Sequence, residues 1–149
     1  MKSPDTYAEW IEAFDAFRQR ENDEENMEAM EGGTFIWEPV VAEMFMKEMI
    51  SAIEKRLGDA QKRFQKSTAH FSGNDNEMTA MLISLRREMQ FIMRFASLNV
   101  LGDERRSQVR KMVRDAADRM QSSLESSAAS DRSGRTAVIL KNHRVNDLK

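Results

Sequence analysis

The side chains best suited to recognise a charged partner are arginines in the last long helix that the sequence predicts. They are Arg105, Arg106, Arg110 and Arg114. At about 100° per residue, the last three form one row along the border of the helix's apolar face, and Arg105 lies on the opposite border. The planar guanidinium group matches the geometry of phosphate and carboxylate groups. The row predicts contact with nucleic acid or with an acidic partner, or else local pairing with carboxylates such as Asp118, four residues after Arg114.

An acidic segment near the N-terminus is the second candidate for recognition by charge. It covers residues 21–33, and its carboxylates include Glu24, Glu25 and Glu28. Such a run mimics a phosphate backbone and can occupy a basic surface on a partner, as in an inhibitor or immunity-type protein. Repulsion among the carboxylates argues against tight packing, so we expect a solvated arm or linker. Docking of this arm on the arginine row, within one chain or between copies, is the third interpretation.

Residues that could support catalysis or bind a metal are scarce. The chain has no cysteine, which excludes disulfides, thiolate zinc sites and iron–sulfur ligation. His70 falls in a predicted loop and His143 in the tail, and the pattern assigns no nucleophile to either. Residues 72–77 lack the alternating oxygen ligands of a calcium loop, and the sequence has no glycine-rich phosphate loop. We therefore expect no enzymatic activity, no cofactor, no metal and no small-molecule substrate.

The charges are sorted along the chain, although the whole carries a net charge of only −2. The first fifty residues contain thirteen Asp/Glu against four Lys/Arg, a local net of −9. Residues 51–100 carry a net of +3, and residues 101–149 carry a net of +4. Such asymmetry indicates recognition of a charged partner, or of a second copy, rather than catalysis.

The elements that must position these charges are helices, since the chain has only two prolines and six glycines in 149 residues. In the first predicted helix, Ser3 is the expected N-cap and Pro4 the first helical residue. Trp10, Phe14 and Phe17 continue this helix as an apolar stripe at helical spacing. We expect the aromatic stripe to contact a protein partner.

A second helix is predicted from Pro39 to about Lys66. Phe45 and Met46 are adjacent, so apolar residues cover more than one face of this helix. A helix of this kind is central in its bundle or faces another subunit, and we favour a subunit interface that includes Met49. The twelve methionines of the chain otherwise indicate filling of an irregular core rather than an adaptable groove.

Two further helices are predicted in the second half of the chain. The third begins at Asp75 or Asn76 and ends around residues 99–102, and the fourth begins at Asp103. The glycine turn between them matches a helix-turn-helix only weakly, because any helical hairpin with a glycine turn has this pattern. A plain hairpin is the favoured interpretation.

The C-terminal end combines a predicted linker with a predicted docking segment. Residues 125–135 are rich in serine and read as a flexible linker, and residues 136–149 form the tail. Val138, Ile139 and Leu140 lie in a compact apolar run that predicts a short strand. Such a strand adds to a partner's sheet edge or fills a groove. The equally weighted alternative is that it folds back and covers an apolar patch of the bundle.

Together these patterns predict an all-α fold: a bundle of about four amphipathic helices over residues 1–124, with an acidic arm and a flexible tail. We expect an adaptor or assembly protein that forms a homo-oligomer and binds a protein partner through apolar helix faces and the tail. Nucleic-acid binding by the arginine row and inhibition by the acidic segment are the alternatives. No apolar run approaches the roughly 20 residues of a membrane span. We therefore expect a cytoplasmic protein without membrane contact.

Overall fold

A computed structural model of the chain describes residues 1–35, 38–68, 75–128 and 133–148. Over these ranges the fold is all-α, as predicted, and contains no strand. The helices are α1 (Tyr7–Arg18), α2 (Asp23–Glu31), α3 (Pro39–Thr68), α4 (Asp75–Met93), α5 (Asp103–Ala128) and α6 (Arg135–Asn142), with a 3-10 turn at Arg94–Ser97. None of the helices in the described ranges combines the length with the hydropathy that a membrane span requires.

The chain divides into two compact units. Unit one comprises Met1–Arg56 and Arg94–Arg110, and unit two comprises Leu57–Met93 and Lys111–Lys149. The sorted charge of the sequence follows this division. Unit one contains sixteen Asp/Glu against ten Lys/Arg, a net of −6, and unit two contains nine against thirteen, a net of +4.

Helix α1 begins three residues later than the sequence predicts. Its N-cap is Thr6 rather than Ser3, and the Thr6 hydroxyl accepts a hydrogen bond from the Glu9 backbone N–H at 3.2 Å. The Glu9 carboxylate in turn accepts from the Thr6 hydroxyl at 3.1 Å and from the Asp5 backbone N–H at 3.4 Å, a variant of the capping box. Hydrogen bonds from Asp5 and Thr6 lower the pKa of the Glu9 carboxyl to about 2. Pro4 precedes the helix, and its carbonyl accepts from the Thr34 N–H.

Aromatic rings fill the core of unit one. Trp10 meets Phe45 edge-on with ring centroids 5.2 Å apart, and Phe17 meets Phe95 edge-on at 4.6 Å. The Trp10 indole N–H donates to the Thr34 carbonyl at 2.9 Å. Gly33 passes directly over the indole, where an added Cβ would stand 2.5 Å from Trp10 Cζ2. Glycine at this position is what allows the backbone to approach the ring.

The acidic segment is a packed helix, which corrects the expectation of a solvated arm. Met27 and Met30 are fully buried, and the Asn26 side chain donates to the Ala13 carbonyl at 2.9 Å. Two residues with positive φ, Arg20 at 58° and Asn22 at 47°, turn the chain between α1 and α2. The buried side of α2 comprises Asn26, Met27, Ala29 and Met30, and carboxylates occupy the other five positions. The charge repulsion among these carboxylates is relieved by solvent and by the ion pairs described below.

The long helices begin where the sequence predicts and end elsewhere. Helix α3 starts at Pro39 and runs two residues beyond the predicted end at Lys66, while α4 starts at Asp75. Helix α4 gives way to the 3-10 turn at Arg94, earlier than predicted. Helix α5 continues to Ala128, so the predicted linker begins inside a helix. Residues 129–132 of that linker lie outside the described residues.

The tail folds as a helix and not as the predicted strand. Helix α6 follows Gly134, which has a φ of 73°, and its Leu140 is 2% exposed. Val145, just after the helix, is fully buried in the core of unit two. A five-residue apolar run does not distinguish helix from strand by periodicity. A helix satisfies its backbone hydrogen bonds within the segment, whereas a strand requires a neighbouring strand.

Candidate interaction surfaces

A buried arginine anchors the start of α2 in unit one. Arg56 of α3 is fully buried, and its two terminal nitrogens donate to the two carboxylate oxygens of Asp23 at 2.8 and 3.1 Å. Nη1 also donates to the Phe17 carbonyl at 3.1 Å, and the guanidinium carbon lies 4.5 Å from the centre of the Phe17 ring. A buried guanidinium is tolerated only with such a full set of partners.

A second arginine holds the two ends of the same helix. Arg94, in the 3-10 turn, donates from Nη1 to Glu24 at 2.6 Å and from Nη2 to the Glu31 carboxylate. Partial burial alone would lower the pKa of the Arg94 guanidinium, but its hydrogen bonds to Glu31 and Glu24 raise it above the ordinary value. Three carboxylates of α2 are therefore held by two arginines from outside the helix.

The outward side of α2 carries the acidic residues that the sequence singled out. Glu24, Glu25 and Glu28 are all exposed, and we call these three residues the acidic face. The Glu24 side chain is 66% exposed although it binds Arg94. Glu25 and Glu28 have no ion pair with any residue that the structure describes. The acidic face thus contains one carboxylate that is already bound to Arg94, that of Glu24, and two that are available to a partner.

The predicted arginine row is partly engaged within the chain. Arg106 donates to the Leu98 carbonyl from Nε at 3.3 Å and from Nη2 at 3.2 Å. Arg105 is half-buried and also interacts with other residues of the chain. Arg110 in unit one and Arg114 in unit two are exposed, and neither has a partner among the described residues. The arginines that bind the acidic segment are therefore not those of the row.

The apolar residues predicted to form an interface mostly fill the core of unit one. The fully or almost fully buried ones are Trp10, Phe14, Phe17, Phe45 and Met49. Their side chains present no surface to a partner, which removes them from the predicted interface. Met46 is half-buried. Helix α3 does expose apolar side chains on its outer side, at Val40 (72%) and Met44 (47%).

The tail residues of the predicted docking strand pack against unit two. Leu140 is buried and Ile139 half-buried, while Val138 is 58% exposed. Beyond α6, the Val145 N–H donates to the Gln121 side chain at 3.0 Å. The Asn146 side chain reaches Asp118 at 3.0 Å, and the Gln90 side chain donates to the Asp147 carbonyl at 3.0 Å. The tail of this structure therefore covers its own unit.

Across the described residues, no cluster of three or more His, Cys, Asp or Glu side chains could hold a metal ion. His143 follows the last residue of α6, where its backbone N–H donates to the Ile139 carbonyl at 3.0 Å. His70 lies outside the described residues. Sequence reasoning missed Arg56, although its spacing from Met49 and Ile53 on the buried side of α3 gave a signal.

Comparison with known proteins gives no relative. No protein-family model and no curated protein matches the sequence, and no solved structure matches the fold. The function must therefore be argued from the chain's own surfaces.

Proposed function

We propose that this chain is a non-enzymatic adaptor protein whose acidic face binds a basic surface on a protein partner. The proposal rests on one observation: the carboxylates of α2 fall into a set that is paired with arginines and a set that is exposed. Asp23, Glu24 and Glu31 are tied to arginines of unit one, whereas Glu25 and Glu28 are exposed without a described partner. The helix is thereby fixed in place while it presents negative charge to solvent.

This arrangement favours binding because the carboxylates are held before a partner arrives. A rigid helix loses less conformational entropy on association than a disordered arm does. Negative charge on the surface also accelerates the approach of a basic partner and selects against acidic ones. The net charge of −6 on unit one extends the same field beyond the three residues of the face. Binding of this kind weakens as salt concentration rises.

The proposed contact surface, the acidic face, differs from the apolar helix faces that the sequence predicts. The proposed class of function, an adaptor protein, is the same. The side chains of the aromatic stripe are buried in the core of unit one, so they present no surface to a partner. A second copy is one source of a basic surface, because unit two carries a net of +4. Contact between unlike surfaces of two copies is head-to-tail and builds rings or filaments rather than two-fold dimers. Homo-oligomer formation remains part of the proposal.

A titration with a defined basic probe tests the proposal. The probe is a synthetic decalysine peptide, and the readout is the change in backbone amide NMR shifts of ¹⁵N-labelled protein at low salt. We expect the largest changes within α2, around Glu25 and Glu28. Changes spread evenly over the exposed carboxylates of the chain would contradict a dedicated face.

Two double variants with equal charge separate the face from the general field. Glu25→Gln with Glu28→Gln removes two charges from the acidic face. Glu43→Gln with Glu54→Gln removes two from exposed carboxylates of α3 that also lack a described partner. Exposed ion pairs contribute up to about 1 kcal/mol each, so we expect the first variant to weaken decalysine binding roughly three- to tenfold. The second should weaken it far less.

Nucleic-acid binding is the second candidate, because Arg110 and Arg114 are exposed without described partners. It predicts that a fluorescent single-stranded oligonucleotide binds at 50 mM salt and dissociates steeply by 200 mM. The single substitutions Arg110→Gln and Arg114→Gln should each weaken such binding. An oligonucleotide that shows no anisotropy change at 50 mM salt eliminates this candidate.

A further inference from the structure

Unit two contains a cleft that none of the predicted functions uses. It lies between the end of α5 and α6 and has a volume of about 410 Å³. Its lining comprises Glu125, Ala128, Ala137, Leu140, Lys141 and Arg144. The volume falls in the range of about 300–1,000 Å³ that is typical of sites for small molecules.

The floor of the cleft is apolar and its rim is charged. Ala128 and Leu140 are buried at its base, and Ala137 is a small exposed residue on the α6 side. The short side chains of the two alanines leave the space open. An apolar floor below a few polar groups is the usual composition of a ligand site.

The charges at the rim favour an anion. Lys141 is exposed and has no ion pair with any described residue. Arg144 Nη1 lies 3.8 Å from the Glu125 carboxylate, and Arg144 Nε donates to the Asn146 side chain at 3.2 Å. The Glu125 carboxylate also accepts from Gln121 at 3.1 Å. Among the described residues that line the cleft, two cationic side chains thus accompany one carboxylate that already has two partners, an excess of one positive charge.

We infer that this cleft binds a small monocarboxylate with a short hydrocarbon chain. The hydrocarbon part covers the apolar floor, and the carboxylate pairs with Lys141 and Arg144 at the rim. This inference is independent of the acidic face, which belongs to unit one. It concerns the binding of a ligand and proposes no reaction.

A second cleft in unit two provides an internal comparison. It has a volume of about 360 Å³ and is lined by Arg63, Phe64, Glu77, Ala80, Met81, Ser84 and Leu85. It has one basic and one acidic side chain, so it carries no excess positive charge. A ligand that is chosen by its carboxylate should therefore prefer the first cleft.

Hexanoate is the probe, and hexanamide is its uncharged counterpart. We expect hexanoate to shift amide NMR signals around Ala137 and Lys141 with a dissociation constant on the order of 1–10 mM. Hexanamide should bind at least about threefold more weakly, because it lacks the charge that pairs with the rim. Equal binding of the two probes, shifts centred on the second cleft, or no shifts at all would each overturn the inference.

Variants assign the effect to the two parts of the cleft. Lys141→Gln with Arg144→Gln should weaken hexanoate roughly three- to tenfold and leave hexanamide unchanged. Ala137→Phe fills the space and should abolish binding of both probes. The control is Lys62→Gln with Arg119→Gln, which removes exposed charges of unit two that do not line the cleft. An equal loss of hexanoate affinity in the control would reduce the effect to the net charge of the unit and overturn the inference. Thermal unfolding of each variant confirms that the fold is retained.

Discussion

The buried guanidinium of Arg56 and the carboxylate of Asp23 form a two-point contact that ties the acidic helix to the core of unit one. Its two hydrogen bonds measure 2.8 and 3.1 Å. Asp23 is the first residue of α2, and Arg56 stands on the buried side of α3. The pair therefore fixes the acidic face to the core of unit one, so that the face is not part of a flexible arm.

Replacement of Arg56 by methionine should destabilise the protein strongly. The methionine keeps much of the buried volume but removes both hydrogen bonds to the Asp23 carboxylate and the one that Arg56 donates to the Phe17 carbonyl. We expect a loss of about 2–4 kcal/mol in the free energy of unfolding, measured by urea denaturation. Arg56→Lys should recover only part of this, because an ammonium group cannot reproduce the two-point geometry. An Arg56→Met protein as stable as wild type would show that the pair does not anchor α2.

Removal of Arg94 should loosen α2 without unfolding the core. Arg94→Met breaks the contacts with Glu24 and Glu31, both of which are partly open to solvent. We expect a loss of about 1 kcal/mol at low salt, smaller at high salt, and faster hydrogen exchange of the α2 amides. The control is Arg110→Met, which changes an exposed arginine of unit one without a described partner. Unchanged exchange in α2, or equal effects of the two substitutions, would contradict the anchoring role of Arg94.

Two glycines should respond to alanine with opposite signs. At Gly33 an added Cβ would stand 2.5 Å from the Trp10 ring and 2.9 Å from the Pro4 carbonyl oxygen. At Gly58, inside α3, nothing lies within 4 Å of an added Cβ. We expect Gly33→Ala to cost about 1–3 kcal/mol of stability, and Gly58→Ala to gain about 0.5–1 kcal/mol. Thermal unfolding of both variants gives the signs, and a neutral Gly33→Ala would contradict the packing around Trp10.

Neighbouring tail residues should differ sharply in their contribution to stability. Leu140→Ala removes a buried side chain from the core of unit two and should cost about 2–5 kcal/mol. Val138→Ala changes a side chain that is 58% exposed and should stay within about 0.5 kcal/mol of wild type. Denaturant unfolding measures both differences. Equal, small effects would mean that the tail does not pack on unit two in solution and would restore the prediction of a free docking segment.

The sequence predicts the long helices well because their apolar phase is sustained over many turns. In α3 the buried residues recur at helical spacing from Phe45 to Phe64, so Gly58 does not interrupt the pattern. Arg56 occupies a position of the same helical spacing, between the buried residues Ile53 and Ala60. This position in the sequence indicates that its charge is buried. Composition alone gives no such sign, because most arginines of this chain are on the surface.

The sequence predicts the short elements poorly because tertiary contacts decide them. In α2 the only large apolar residues that mark the buried side are Met27 and Met30. The surrounding carboxylates make the mean hydropathy of the segment polar. In α6 the β-branched residues Val138 and Ile139 favour a strand by propensity, yet the helix buries Leu140. The acidic residues of the candidate face follow from composition. Composition does not predict which of these residues are anchored and which are exposed, because the two arginines that anchor them lie 33 to 70 residues away in the chain.

The most direct test of the adaptor proposal is the decalysine affinity of three proteins measured side by side by calorimetry at 50 mM salt. These are the wild type, the Glu25→Gln/Glu28→Gln variant and the Glu43→Gln/Glu54→Gln variant. The proposal predicts that the first double variant loses affinity roughly three- to tenfold, while the second stays close to wild type. Equal affinities of the two double variants would show that the probe responds only to the net charge of unit one, and the acidic face would then have no special role.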